Sequence, residues 1–139
     1  MDPTRRYAVR IPAAHPVHEH ERVTEWLRQL QSTTDARRLG ALMYESHASY
    51  TACGLGSTGT DRLVALAREA GLAGGIYGAK ITGGGSGGTV AVLADAAAGD
   101  GVRNLARRYA AEAGRGGYVF EGSSPGAARI GVMRIDPTG

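Results

Sequence analysis

Apolar positions recur with a helical period through roughly the first seventy residues of this chain, and the later part alternates short apolar runs with glycine-rich turns. Tyr7-Ala8-Val9-Arg10-Ile11-Pro12 alternates weakly, as in a short edge strand or an extended lead-in that Pro12 ends. Val23, Trp26, Leu27 and Leu30 follow the i, i+3, i+4, i+7 spacing of one apolar face, which predicts a helix over about 17–31. Ser32-Thr33-Thr34-Asp35 then offers N-caps for a second helix, with Leu39, Leu42, Met43, Ser46 and Tyr50 on one side. Glu45 and His47 lie on that helix, and His47 reads as a hydrogen-bonded packing residue. A turn-rich break over 51–61 leads into a third helix, 60–70, with Leu63, Val64, Leu66 and Ala67 apolar and Gly71 as its C-cap.

From residue 76 the pattern changes. Ile76-Tyr77 and Thr89-Val90-Ala91-Val92-Leu93 read as strands around a glycine loop. Residues 95–99 link them to a fourth helix near 100–113, with Val102, Leu105, Ala106 and Tyr109 facing inward, and the glycines of 114–117 stop it. Tyr118-Val119-Phe120 predicts a short strand, 121–126 a glycine/serine turn, and 130–135 a last alternating strand. Helices first, then strands with one helix between them, predict an α+β domain with a mainly antiparallel sheet of about four strands.

Composition narrows the function classes. The 139 residues suit one domain with a single core. A net charge of +3 is modest, and the arginines are scattered without interleaved aromatics, so the chain does not read as a nucleic-acid binder. The single cysteine, Cys53, excludes an internal disulfide and suits a reducing cytoplasm; it reads as a small buried hydrophobe and not as a nucleophile. No run of about 18 apolar residues argues for a membrane span, and the expectation is a cytoplasmic protein. His15-Pro16-Val17-His18-Glu19-His20 places three histidines within six residues and invites a metal. Pro16 restricts His15 to an extended backbone, and no cysteine or fourth ligand is near, so we read them as solvated residues ahead of a helix.

The candidate chemistry lies in Gly78-Ala79-Lys80-Ile81-Thr82-Gly83-Gly84-Gly85-Ser86-Gly87-Gly88, where five of the six positions 83–88 are glycine. Glycine costs backbone entropy on ordering, so this density implies left-handed backbone or close approach to something bulky such as a phosphate. The loop formally satisfies G-x-G-x-x-G, but a dinucleotide fingerprint needs a helix after it, and here a strand follows. It also satisfies G-x-S-x-G, yet a nucleophile elbow needs a downstream histidine, and none follows His47. No G-K-[ST] follows, which removes the Walker reading. A strand–loop–strand hairpin remains. Its exposed N–H groups suit an anion or brace a neighbouring loop that binds one.

These residues resemble the third, C-terminal motif of the GHMP sugar kinases. Leu42-Met43-Tyr44-Glu45-Ser46-His47-Ala48-Ser49-Tyr50 is similar to a helix of the galactokinase branch, and Thr51-Ala52-Cys53-Gly54-Leu55-Gly56-Ser57 continues as in plant-type L-arabinokinases. His15-Pro16-Val17-His18-Glu19 and Phe120-Glu121-Gly122-Ser123-Ser124-Pro125-Gly126-Ala127 resemble arabinokinase segments as well, so the likeness covers about 7–135. It implies a lead-in over 1–14 and a GHMP C-terminal domain over 15–139, with helices on one face of a ferredoxin-like antiparallel sheet. It also implies an ATP- and Mg²⁺-dependent kinase acting on the anomeric hydroxyl of a sugar. Lys80, Thr82, Gly83, Gly84, Gly85, Ser86, Gly87 and Gly88 would then form a nucleotide- or substrate-facing loop. The family's sugar anchor, its Pro-x-x-x-Gly-Leu-x-Ser-Ser-Ser phosphate loop and its catalytic aspartate and arginine belong to an N-terminal half and do not occur here. The expectation is a C-terminal lobe that needs an N-terminal GHMP half as partner, with no catalytic residue and no metal ligand of its own. The alternative is a non-catalytic sugar- or nucleotide-sensing module. Neither reading invokes nucleic acid or membrane.

Overall fold

The computed structural model describes residues 4, 6–32, 34–83, 88–122 and 129. Among these residues, four helices and one antiparallel hairpin follow in the order α1 (Arg10–Gln31), α2 (Ala36–Ala52), α3 (Thr58–Ala70), β1 (Ile76–Ile81), β2 (Val90–Ala94) and α4 (Gly99–Ala113). Single 3₁₀ turns, Leu72–Gly74 and Ala96–Ala98, lead into β1 and α4. The α+β class holds. Of the four expected strands, the described residues hold two; 130–135 lie outside them. Tyr118-Val119-Phe120 is described but is not a strand: among the described residues no strand pairs with it, and Tyr118 and Phe120 are 80% and 82% exposed.

Local chemistry explains the helix boundaries. The Asp35 side chain accepts the backbone N–H groups of Arg37 and Arg38, capping α2. Ser57 and Thr60 form a reciprocal capping box, so α3 starts at Thr58, two residues before its expected start. Gly71 ends α3 at φ +50, and Gly114 ends α4 in the left-handed region at φ +65. The largest departure is α1. It begins at Arg10 and carries Pro16 inside it, so the extended backbone expected through His15 is helix. Pro12 falls in the first turn, where a missing N–H removes no intrahelical bond.

The core forms where α3, α4 and the hairpin meet. Leu66, Ala67, Ile76, Ala79 and Leu105 pack together with Val64, all nearly or fully buried. Ile76 and Ala79 are three apart, an odd spacing for one face of a strand. A bulge resolves this: Ile76 pairs with Ala94 and Gly78 with Leu93, so Tyr77 is an extra residue and the alternation resets. The α2 helix approaches β1 through Gly40, whose absent Cβ would lie 2.0 Å from the Tyr77 carbonyl oxygen.

The α1 helix packs the other way round from its sequence pattern. It has no buried residue, and Val23, Leu27 and Leu30 are exposed, with only Trp26 of the predicted apolar face partly covered. The half-buried stripe is instead His15, Glu19, Arg22, Trp26 and Gln29, at steps of four, three, four and three. The reason lies on α2, which presents Ser46 and Ser49 to α1, and those hydroxyls require polar partners.

Candidate functional site

The hairpin positions the glycine loop. At its root the Thr82 N–H donates to the Thr89 carbonyl at 3.1 Å, and the Thr82 hydroxyl reaches the same oxygen at 3.4 Å. Gly83 takes a left-handed φ of +74, which a side chain would oppose. Its carbonyl accepts the Tyr50 hydroxyl at 3.3 Å, linking the loop to the end of α2. Gly88 is different: its φ is not left-handed, and a Cβ there would meet nothing within 4 Å. Gly84, Gly85, Ser86 and Gly87 lie outside the described residues.

Lys80, two residues before Thr82, extends toward the α1–α2 seam. Its Nζ lies 3.2 Å from Glu19 Oε1 and 5.6 Å above the Tyr50 ring, within reach of a cation–π attraction. Glu19 is the hub of this seam. Ser46 Oγ donates to Oε1 at 2.6 Å, and Arg22 Nε donates to Oε2 at 2.9 Å. Burial pushes the Glu19 carboxyl upward, but the bonds from Ser46, Arg22 and Lys80 outweigh it and hold the group below the usual carboxylate value. His15 lies 2.7 Å from Ser49 Oγ and packs edge-on against Tyr50, so it belongs to the seam, while His18 bonds Glu21 at the surface. Among the described residues, no group of three or more His, Cys, Asp or Glu is placed to hold a metal ion.

His47 braces the far end of β1. Successive strand amides point to opposite edges; since the Thr82 N–H faces β2, the Ile81 N–H points away from it. His47 Nδ1 accepts that N–H at 3.3 Å, and Nε2 lies 3.2 Å from Asp61 Oδ1. This network assigns the neutral tautomer with its proton on Nε2. Burial keeps the imidazole below its usual value, against the opposing pull of Asp61. The side chain thus ties α2, β1 and α3 together, as a packing histidine does.

An open groove of about 1130 Å³ runs beside the hairpin. Val92 and Leu105 contribute to its apolar wall, while Thr82 and Thr89 supply hydroxyls at the root of the loop. The segment after α4 borders it and is tied back where the Arg103 guanidinium pairs with Glu121. Of the sequence-predicted residues, Thr82 and Gly88 line this groove, Gly83 meets Tyr50, and Lys80 turns to Glu19. Sequence reasoning missed Glu19 as the partner of Lys80. The two are 61 positions apart, and Glu19 stood out only as a neighbour of histidines.

Residues 23–111 match the family model described as GHMP kinases C terminal. The chain is 44% identical to an L-arabinokinase of Arabidopsis thaliana over 97% of its own length, which is 14% of that relative. It is 39% identical to a galactokinase of Streptomyces coelicolor over 88% of its length, 31% of that relative. The chain therefore spans well under half of either protein. No helix among the described residues is long and apolar enough to cross a membrane. With the match running from α1 to α4 across the glycine hairpin, the chain belongs to the GHMP kinase family and corresponds to its C-terminal domain.

Proposed function

We propose that this chain is the C-terminal lobe of a cytoplasmic, ATP-dependent sugar 1-kinase of the arabinokinase and galactokinase type, inactive without an N-terminal GHMP half. The observation that carries the reading is similarity to an L-arabinokinase over 97% of the chain, glycine hairpin included. Gly88 is compatible with it: its φ is not left-handed and, among the described residues, nothing lies within 4 Å of where a Cβ would stand, so the backbone there is open to approach. In this reading the loop over 82–88 is one wall of a cleft whose other walls belong to the partner half. ATP with Mg²⁺ supplies the transferable phosphoryl group and part of the charge neutralisation. The chain's own contribution is positional. Thr82 holds the root of the hairpin, and beside it Glu19 fixes the direction of the Lys80 side chain; the reading assigns the loop's backbone N–H groups to phosphate or sugar oxygens. No side chain here is assigned to Mg²⁺.

The test is phosphorylation of L-arabinose and D-galactose with ATP and Mg²⁺. The isolated chain gives no turnover, and co-expression with an N-terminal GHMP half restores it. Turnover by the chain alone overturns the reading. Calorimetric binding of ATP or either sugar by the isolated chain, with no restoration by any N-terminal half, favours the sensing module instead.

A further inference from the structure

We infer that the outward apolar stripe of α1, centred on Val23, Leu27 and Leu30, is the surface on which the N-terminal half of the kinase docks; this rests on the reading of the chain as a C-terminal lobe. The three side chains are 49%, 52% and 53% exposed at helical spacing, and Pro16, exposed and seven residues before Val23, continues their line. The opposite face of α1 is already committed, since Glu19 and His15 bond Ser46 and Ser49 of α2 and Glu19 holds Lys80. Rotating the helix to bury the leucines would strip those partners from Glu19 and Lys80. The stripe is therefore a second working face of the helix.

The occupant follows from what accompanies this domain in its relatives. The matched region is a C-terminal domain, and it accounts for 14% and 31% of the two relatives' lengths, so most of each protein is other chain. The match to the C-terminal family model begins at residue 23, inside α1, so this helix stands at the N-terminal boundary of the matched domain. A 22-residue helix is about 33 Å long, enough to carry one side of a lobe interface. The inner face of the same helix reaches the loop through Lys80 and through the His15–Tyr50–Gly83 contacts. Docking on the outer face would thus hold α1, and with it the root of the loop, against the partner's half of the cleft.

The experiment co-expresses this chain, affinity-tagged, with the portion of the Streptomyces coelicolor galactokinase preceding its matched region, so that either piece folds on the other. That enzyme's own C-terminal region serves as the competent control. The variants are Leu27→Glu/Leu30→Glu and, on an exposed leucine away from the stripe, Leu72→Glu. Circular dichroism and the urea midpoint check that each variant is folded. The expected result is capture by the wild type and Leu72→Glu, with at least a tenfold weaker affinity for Leu27→Glu/Leu30→Glu. Equal capture by the double variant overturns the docking surface and leaves the C-terminal-lobe reading standing. Failure of the wild type where the natural C-terminal region succeeds overturns that reading as well. Loss of wild-type self-association in the double variant, with capture unchanged, assigns the stripe to a second copy and also overturns the proposal.

Discussion

Gly40 and Gly78 face each other where α2 crosses β1, and a Cβ on Gly78 would lie 2.4 Å from the Gly40 Cα. Backbone stands on both sides, so neither partner can swing aside. Gly40→Ala is expected to destabilise the fold by about 3 kcal/mol or more, above the usual range for overpacking, as a shift of the urea midpoint. His47 sets a pH dependence at the same scale. Its folded value lies below the usual 6.5, so the unfolded chain takes up the proton first. The stability it contributes is complete above about pH 6.5 and declines as pH falls through that value toward the folded one. Urea midpoints measured between pH 8 and 5 should show this decline, and His47→Asn should flatten it. Glu19 works in a lower window: its folded value is depressed below 4.5, so its contribution is lost only as pH falls beneath that. His47 was recognisable from its place on a helix flank, but its acceptor role was not, because Ile81 lies 34 residues away.

Among the elements, α3 and α1 contrast in how far local pattern decided the outcome. The α3 start is set within four residues by the Ser57–Thr60 capping box, and Ser57→Ala should cost about 1 kcal/mol in chemical denaturation. The bidentate pair between Arg62 and Glu112 joins α3 to α4 at 2.7 and 2.9 Å but sits in solvent, so Arg62→Ala should cost no more than about 1 kcal/mol. In α1 the apolar spacing of Val23, Leu27 and Leu30 was real, yet it marks the outward side. Periodicity reports that a helix has an apolar face; it carries no information about which neighbour that face meets. The β1 bulge is similar. Ile76 and Ala79 break the period of two, and only the pairing with β2 shows that Tyr77 is the extra residue.

At the level of the whole molecule, the domain joins a buried core around Leu66 and Ile76 to a helix whose exposed face lacks cover within the described residues. That imbalance is what the proposed lobe reading expects, and the complementation assay addresses it directly. What the amino-acid sequence determined by itself was short-range. Helix periodicity, the Asp35 and Ser57 caps, the Gly71 stop and the strand–glycine–strand hairpin all depend on residues within a few positions of one another. The family likeness was carried in the same way by short continuous motifs. Only tertiary structure decided which side of α1 turns inward, that Lys80 is held by Glu19, that Tyr50 meets Gly83, and that two glycines let α2 touch β1. Each of those contacts joins positions 33 to 61 residues apart, or depends on which of two helix faces finds a partner. Local spacing cannot encode either, because both follow from the competition among all surfaces for burial and for hydrogen-bond partners.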